Sequence, residues 1–306
     1  MTEPADAAAR RSRRYVLAGS EIETPRLAPG LYVAATPIGN LRDVTLRALE
    51  FLAAADLIAC EDTRVSRKLL ERYGIRRPLT PYHDRNAESA RPKLLEALRE
   101  GAAVALISDA GTPLVSDPGF KLVRAAREAG HPVTHAPGAS SVLTALVLAG
   151  LPTDTFVFGG FLPPKSAARR SRIAELAPVA ATLVLFETGP RLAAALADLA
   201  AGLGSRQAAI CRELTKVHEE VRRGNLSELA EHYAQAGEKR GEIVLVIAPP
   251  AEGDAPQPSA VDVDELLVDA LRRSSLKDAV AEVASLTGRP RRELYRHALA
   301  LREGKK

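Results

Sequence analysis

Short apolar segments alternate with helical patterns along most of this 306-residue chain. Eight apolar segments have the length and composition of β-strands, namely residues 31–36, 56–60, 103–108, 132–136, 155–160, 181–187, 207–212 and 242–248. Between them lie six segments with the 3.6-residue spacing of helices: 44–55, 87–100, 118–129, 140–149, 190–202 and 226–236. This alternation predicts an α/β fold with mostly parallel sheets. Eight strands fit one barrel or two open sheets.

Two breaks in the pattern predict the domain organisation. Pro137 and Gly138 precede a helical segment that starts a second set of strands and helices, and the Pro-rich stretch 249–258 cannot form a helix or a central strand. Three short helical patterns follow it, typical of a helix-turn-helix-like module. We therefore predict a disordered extension at 1–28, α/β domains at 29–138 and 139–249, a linker at 250–261 and a basic helical module at 262–306.

Three strand segments of the first domain end in polar, turn-rich loops. These loops are TPIGNLRD at 36–43, CEDTR at 60–64 and SDAGTPLVSDPG at 108–119. If the strands are parallel, all three loops lie at one sheet edge, where α/β ligand sites form. Gly111 lets a ligand approach the backbone, and Asp117 and Pro118 are expected to be the N-cap and first residue of a helix. An ordinary strand-to-helix connection explains each single loop equally well.

Composition and charge limit the class of protein. Cys60 and Cys211 are too few for a disulfide framework or a Cys-rich zinc site, and they favour the reducing cytoplasm. No apolar run is long enough to span a membrane, so we expect no membrane partner. No cluster of His, Cys and carboxylates stands out in the sequence, so we expect no metal either. Residues 270–306 carry a net charge of +6, against +4 for the whole chain. This basic module indicates an anionic partner such as nucleic acid, although a solvated helix face is the alternative.

Seven motifs in order carry a family resemblance. They are TPIGNL at 36–41, CEDTR at 60–64, SDAGTPLVSDPG at 108–119, PGASS at 137–141, GFLPPK at 160–165, RELTK at 212–216 and GE at 241–242. Together they resemble the bacterial 16S ribosomal RNA cytidine-2′-O-methyltransferases of the tetrapyrrole methylase superfamily, over about residues 29–302. One departure is ETGPR at 187–191, where that family usually has ESPHR, so no histidine base is expected there.

The resemblance implies a fold, a reaction and its partners. It implies two α/β domains of the tetrapyrrole-methylase type with the cofactor cleft between them, plus a small C-terminal helical module. S-adenosylmethionine would be the methyl donor. The substrate would be a cytidine of the decoding region of 16S rRNA, in the small ribosomal subunit, methylated on its ribose 2′ oxygen. A homodimer is usual in the superfamily.

The resemblance also implies which residues bind the cofactor. The loop after the third strand would contact the methionine part, a helix N-terminus would receive its carboxylate, and the second domain would lie near the adenine. These positions, with two that border the cleft, are Pro37, Gly39, Asp109, Gly111, Thr112, Val115, Ser141, Val142, Leu214 and Thr215.

Candidates for the RNA side are Asn40, Glu61, Asp62, Arg64 and Lys165. A ribose hydroxyl is a poor nucleophile until its proton is accepted, and either acid of this set is suited to that role. Either basic residue is suited to holding a phosphate. The alternative for the 60–64 segment is helix capping by Asp62. Lys165 also begins a basic cluster with Arg169, Arg170 and Arg172, which is either a phosphate-binding patch or a solvated helix face.

Two other functions stay open from the residues alone. The first is a methylase of a tetrapyrrole or another small molecule, which has no evident need for the 60–64 segment or the basic module. The second is a non-enzymatic RNA- or DNA-binding protein led by its C-terminal helices. Against it stand the three loops that predict a cleft.

Overall fold

The first sheet is a five-stranded parallel sheet. The computed structural model describes residues 13–237, 241–250, 260–287 and 290–303. The strands of this sheet are β3 (Gly30–Ala34), β4 (Leu57–Cys60), β5 (Leu79–Pro81), β6 (Ala103–Ile107) and β7 (Val133–Ala136). Their spatial order is β5-β4-β6-β3-β7, and all four pairings between neighbouring strands are parallel. The central strand β6 is buried along its whole length, as expected for a strand covered on both faces.

Two pairs of helices cover this sheet. The helices are α1 (Leu46–Ala54), α2 (Thr63–Arg72), α3 (Ala87–Arg99) and α4 (Phe120–Glu128), and a short 3-10 helix spans Leu41–Asp43. One core contains Leu49 of α1 and Leu69 of α2, packed with Ile58 and Ile107 of the strands. On the opposite face of the sheet, a second core contains residues of α3 and α4 packed against the strands. The carboxyl ends of the strands therefore carry the loops that can form a site.

Part of the predicted disordered extension is ordered, so that prediction is wrong for residues 13–28. Strands β1 (Arg14–Leu17) and β2 (Ser20–Glu23) form an antiparallel hairpin. Tyr15 is 2% exposed within the core that α1 and α2 share. The amide of Val16 also donates to the carbonyl of Tyr73. Burial of one aromatic ring and this backbone bond fix the hairpin. Residues 1–12 lie outside the described part of the chain.

The second sheet is mixed, so the prediction of mostly parallel sheets is wrong here. Its strands are β8 (Phe156–Phe161), β9 (Thr182–Thr188), β10 (Gln207–Arg212), β11 (Glu220–Asn225) and β12 (Glu242–Ile247), in the order β11-β10-β12-β9-β8. Only the β8–β9 pairing is parallel. The link between β10 and β11 is too short for a crossover helix, which forces an antiparallel pair.

Helices pack on both faces of the second sheet. They are α5 (Ser141–Ala149), α6 (Ser166–Leu176), α7 (Gly189–Leu203) and α8 (Leu226–Gln235). Helix α5 follows the first sheet in the sequence but packs on the second, through Val142 and Leu146. The remaining three helices share the opposite core. The first helix after residue 138 therefore packs with the second sheet, and the domain boundary near residue 138 stays a prediction.

Three helices follow the second sheet, as predicted. They are α9 (Ala260–Arg273), α10 (Leu276–Thr287) and α11 (Arg291–Glu303). Their core is their own and includes Leu267, Val283 and Leu294. The predicted linker lies largely outside the described residues.

Candidate functional site

Loops from three neighbouring strands of the first sheet meet at its carboxyl edge. Thr36 and Gly111 form an isolated antiparallel bridge, in which each amide donates to the other residue's carbonyl, at 2.9 and 3.0 Å. The hydroxyl of Thr112 donates to the carbonyl of Ala139 at 3.4 Å. The loops after β3, β6 and β7 are therefore joined before any ligand binds.

A cavity of about 220 Å³ lies between these loops and the second domain. Its wall from the first domain consists of Ile38, Ala110, Gly111, Thr112, Val115, Ser116 and Asp117. Its wall from α5 and the second sheet consists of Ser140, Ser141, Val142, Phe161, Phe186, Glu187, Thr188, Leu214, Gly241, Glu242, Ile243 and Val244. Both halves of the molecule are needed to form it, which agrees with a cleft between two α/β domains.

Six of the residues expected to bind the cofactor line this cavity: Gly111, Thr112, Val115, Ser141, Val142 and Leu214. Pro37, Gly39, Asp109 and Thr215 are not on its wall. The amide of Asn40 donates to the Thr215 hydroxyl at 3.1 Å, across the two domains. Asp109 accepts a hydrogen bond from the amide of Asp62 at 3.0 Å. Thr215 and Asp109 thus hold loops near the cavity, and a direct ligand role for all four residues stays a prediction.

The residues expected on the RNA side are also absent from the wall: Asn40, Glu61, Asp62, Arg64 and Lys165. Asp62 is the N-cap of α2, accepts from the amide of Arg64 at 2.8 Å and pairs with the Arg64 guanidinium at 2.6 Å. These hydrogen bonds hold the pKa of Asp62 at about 2. The capping alternative therefore describes Asp62, because such a carboxylate is a weak proton acceptor. Burial and the neighbouring Asp109 instead raise the pKa of Glu61.

The predicted basic cluster does not act as one surface. Arg169 is 5% exposed, and its Nη2 atom lies 2.6 Å from Oδ2 of Asp198. Its Nη1 atom also donates a hydrogen bond to the carbonyl of Pro164. Its place on α6 turns it towards α7, so neither a phosphate-binding nor a solvated role fits it. Lys165 is exposed just before α6.

Asp117 is the wall residue that sequence reasoning misassigned. Helix α4 begins at Phe120 with Gly119 as its N-cap residue, so the N-cap role predicted for Asp117 is wrong. Asp117 lies on the cavity wall, where burial, helped by the charge of Glu61, raises its pKa to about 6. Leu114 and Ser116 beside it have left-handed backbones, with φ of 76° and 61°. Such strain is characteristic of loops whose shape serves a site.

Glu187 and Arg191, which match the family motif, have a local structural role. One carboxylate oxygen of Glu187 accepts from the amide of Thr188 at 2.8 Å and lies 3.1 Å from Nε of Arg191. The Glu187 side chain is fully buried. Since side chains alternate along a strand, it shares the face of β9 with Leu183 and Leu185, which pack against α7. The pair therefore fixes the start of α7.

The cavity fits S-adenosylmethionine by its chemistry. Gly111 has φ of 80°, and a Cβ there would lie 3.3 Å from Ile38 Cγ2. A residue without a side chain therefore suits this part of the wall. Apolar Leu214 and Val244 suit an adenine, and the amino end of α5 suits a carboxylate. Asp117 suits a cationic group. Within the described residues no cluster of His, Cys, Asp and Glu is able to hold a metal, and no helix is long and apolar enough to cross a membrane.

The chain matches two family models. Residues 30–230 match the tetrapyrrole (corrin/porphyrin) methylases, and residues 257–302 match the RsmI C-terminal HTH domain. A protein of Mesorhizobium japonicum named ribosomal RNA small subunit methyltransferase I is 53% identical over 93% of this chain and 96% of its own length. A protein of the same name from Erythrobacter litoralis is 50% identical over 90% and 96%.

Solved structures show the same fold. Uroporphyrin-III C-methyltransferase of Thermus thermophilus in complex with S-adenosylhomocysteine has a TM-score of 0.50 at 21% identity, covering 71% of this chain and 96% of that one. Cobalt precorrin-4 methyltransferase has a TM-score of 0.54 at 18% identity, covering 71% and 93%. The chain therefore belongs to the tetrapyrrole methylase family of S-adenosylmethionine-dependent methyltransferases, in the group of the ribosomal RNA small subunit methyltransferases I.

Proposed function

We propose that this enzyme methylates the ribose 2′ oxygen of a cytidine in the decoding region of 16S rRNA. The observation that carries the proposal is one cavity closed by loops of both domains, in a chain that matches ribosomal RNA methyltransferases over nine-tenths of its length. The match to the C-terminal module extends the similarity to the basic helices. The molecule thus combines a methyl-donor cavity with a positively charged module suited to RNA.

The chain's own residues have three tasks in this reaction. S-adenosylmethionine supplies, when bound, a methyl group activated by the sulfonium that carries it. The loops joined at Thr36 and Gly111 would keep water from the methyl donor and orient the ribose that accepts the methyl group. Transfer would break the carbon–sulfur bond of the sulfonium and release S-adenosylhomocysteine as the oxygen–carbon bond forms, so the ribose hydroxyl would have to give up its proton. We assign the acceptance of that proton to Asp117, with Glu61 as the neighbouring carboxylate.

Arg64 and Lys165 are proposed to bind RNA phosphates near the cavity. The guanidinium of Arg64 is tied to Asp62 but remains largely exposed, and Lys165 is exposed at the start of α6. An exposed cation contributes affinity through counterion release and does not select a sequence. Replacing either is therefore expected to raise the KM for RNA rather than to abolish turnover.

The assembly and the compartment are parts of the same proposal. Leu143 and Val147 on α5 are 55% and 81% exposed, an apolar pair that suits the contact of a homodimer. Both cysteines are buried and unpaired, and burial raises the pKa of Cys211 to about 11. Inert thiols agree with the reducing cytoplasm, where the small ribosomal subunit is found.

The test is transfer of labelled methyl groups from S-adenosylmethionine. Small ribosomal subunits from a strain that lacks this enzyme should accept label on the ribose of one cytidine, mapped by nuclease digestion and mass spectrometry. Subunits from the parent strain are the control and should accept none, because their site is already methylated. Label on a base, or on a porphyrinogen in preference to RNA, would refute the proposal.

A further inference from the structure

A cluster of three phenylalanines lies beside the cavity. Phe186 of β9 contacts Phe158 and Phe161 of β8, with ring centroids 4.8 and 5.5 Å apart and interplanar angles of 66°. Phe186 and Phe161 are both on the cavity wall. Side chains alternate along a regular strand, so residues 158 and 161 should face opposite sides of the sheet. Their shared contact with Phe186 therefore needs an irregularity between them.

That irregularity is a β-bulge. The pairing of β8 with β9 shifts its register between Phe158 and Gly160, which inserts one residue and re-aims the rest of the strand. Gly160 has φ of 64°, a conformation that side chains rarely adopt. A Cβ on Gly159 would lie only 2.6 Å from Leu185 Cδ2. The Gly159–Gly160 pair is thus required by backbone shape and by packing, and its effect is to place Phe161 on the cavity wall.

Phe161 is on the open side of the cavity. It is 51% exposed, and Val115, at 40%, is the other large apolar side chain of the wall that is exposed. A Cβ on Gly160 would lie 3.7 Å from Ser116 Oγ, so the loop of the first domain approaches the bulge. The more enclosed apolar wall, Val142, Leu214 and Val244, is almost fully buried. The half-exposed ring of Phe161 is therefore available for contact with a ligand that binds at the cavity mouth.

We propose that Phe161 stacks on the nucleobase of the RNA nucleotide whose ribose is methylated. The inference rests on the proposed RNA substrate and adds the group that holds it. Proteins that act on one nucleotide take it out of the helical stack and hold its base against aromatic side chains. A ribose brought to the enclosed cavity carries its base to the cavity mouth. Lys165, which is exposed and lies four residues further along the chain, is the cation proposed for the adjoining phosphate.

The first experiment uses tryptophan as a reporter, since the chain contains none. The indole of Phe161→Trp should lose fluorescence when unmethylated small subunits, or transcribed 16S rRNA, are added to the full-length enzyme with S-adenosylhomocysteine. S-adenosylhomocysteine alone should leave the emission nearly unchanged. Phe156→Trp is the matched control, because Phe156 is 40% exposed on the same strand but is not on the wall. Its emission should respond much less to RNA.

The two sources of a nucleobase give different results. Quenching by S-adenosylhomocysteine alone would show that the cofactor's adenine occupies this position and would overturn the proposal. Quenching by neither ligand would overturn it too. Quenching by RNA in an enzyme that transfers no methyl to RNA would support the stacking and reject the proposed function, so the two failures are distinguishable.

The second experiment removes the ring and keeps its bulk. Phe161→Leu should lower kcat/KM for small subunits roughly 5- to 150-fold, the range for loss of one stacked base, while Phe161→Tyr stays within about three-fold of the parent. The Kd for S-adenosylmethionine and the Tm should change little in both. Equal activity of the leucine and tyrosine variants would contradict a stacking role, even where the parent methylates RNA normally.

Discussion

At the scale of single residues, Asp117 is the group with the sharpest consequence for activity. Its pKa is raised to about 6, chiefly by burial, so the carboxylate that we expect to accept the proton exists mainly above pH 6. We predict that kcat/KM falls about ten-fold per pH unit below pH 6. Asp117→Asn should lower the rate at pH 8 by about 10²-fold or more and abolish that dependence. Steady-state methyl transfer across pH 5–9 measures both.

Asp62→Asn is the control for that profile. The pKa of Asp62 is about 2, so its charge does not change over the measured range. The variant should keep the acid limb of the pH profile and nearly all of its stability, because asparagine is also an efficient N-cap. An acid limb that vanishes in Asp62→Asn and persists in Asp117→Asn would reverse the assignment.

The raised pKa of Asp117 also predicts an effect on stability: replacing this residue should lower activity at pH 8 but raise the free energy of unfolding there. Its ordinary pKa is 3.8, and in the folded protein it is about 6. The protonated form therefore stabilises the fold fully below about pH 4, and this contribution is lost as the pH rises through 6. Asp117→Asn should be more stable than the parent at pH 8, by about 1 kcal/mol after solvent screening, and no more stable at pH 4. Thermal unfolding at the two pH values tests it.

At the scale of elements, the buried ion pair between Arg169 and Asp198 joins α6 to α7. Arg169→Ala would leave the Asp198 carboxylate without its partner, so we expect a loss of about 3 kcal/mol or more in the free energy of unfolding. Arg170→Ala, one residue along on the exposed face, should change it by less than about 0.5 kcal/mol. Denaturant unfolding compares them. Equal effects would mean that Arg169 is not the structural member of the basic segment.

The long apolar elements of this fold are predictable from the sequence, and the short polar ones are not. Strand β6 and residues 183–186 of β9 are continuous apolar runs and stand out by composition alone. The hairpin β1–β2 and the edge strand β11 carry charged side chains, and their place in the fold depends on tertiary contacts, such as the burial of Tyr15 for the hairpin. Strand direction in the second sheet depends on which strand β12 pairs with, and local periodicity contains no such information.

The site divides in the same way. The loop with Gly111 and Thr112 is predictable because small residues that follow an apolar run have a local signature, whereas the start of α5 is assigned to the site only by the family resemblance. Asp117 has the local signature of an N-cap, and its role depends on where α4 begins. Phe161 reaches the wall through a bulge that the glycine pair permits, and a period-two pattern assigns it to the wrong face.

At the scale of the whole molecule, the cavity depends on how closely the two domains approach. A Cβ on Gly39 would lie 2.5 Å from Lys216 Cγ and 2.9 Å from Thr215 Oγ1. Gly39→Ala should therefore separate the loops and raise the Kd for S-adenosylmethionine about ten-fold, although neither residue touches the cavity. Adding Lys216→Ala to the Gly39→Ala variant removes one of the two clashes and should restore part of the affinity. The effects of the two substitutions on the Kd are therefore expected to be non-additive. Calorimetric titration measures each, and an additive loss would contradict the clash.

The C-terminal helices form a core of their own, so we expect that they can be removed without loss of the rest of the fold. We predict that deletion of residues 259–306 weakens binding to small subunits at least ten-fold and leaves the Kd for S-adenosylmethionine within two-fold. Arg272, Lys277 and Arg296 are among the cations lost. Each phosphate contact removed should make the slope of log K against log salt less negative by about 0.7–0.9. An unchanged slope, or an equal loss for both ligands, would assign the module to folding instead of RNA recognition.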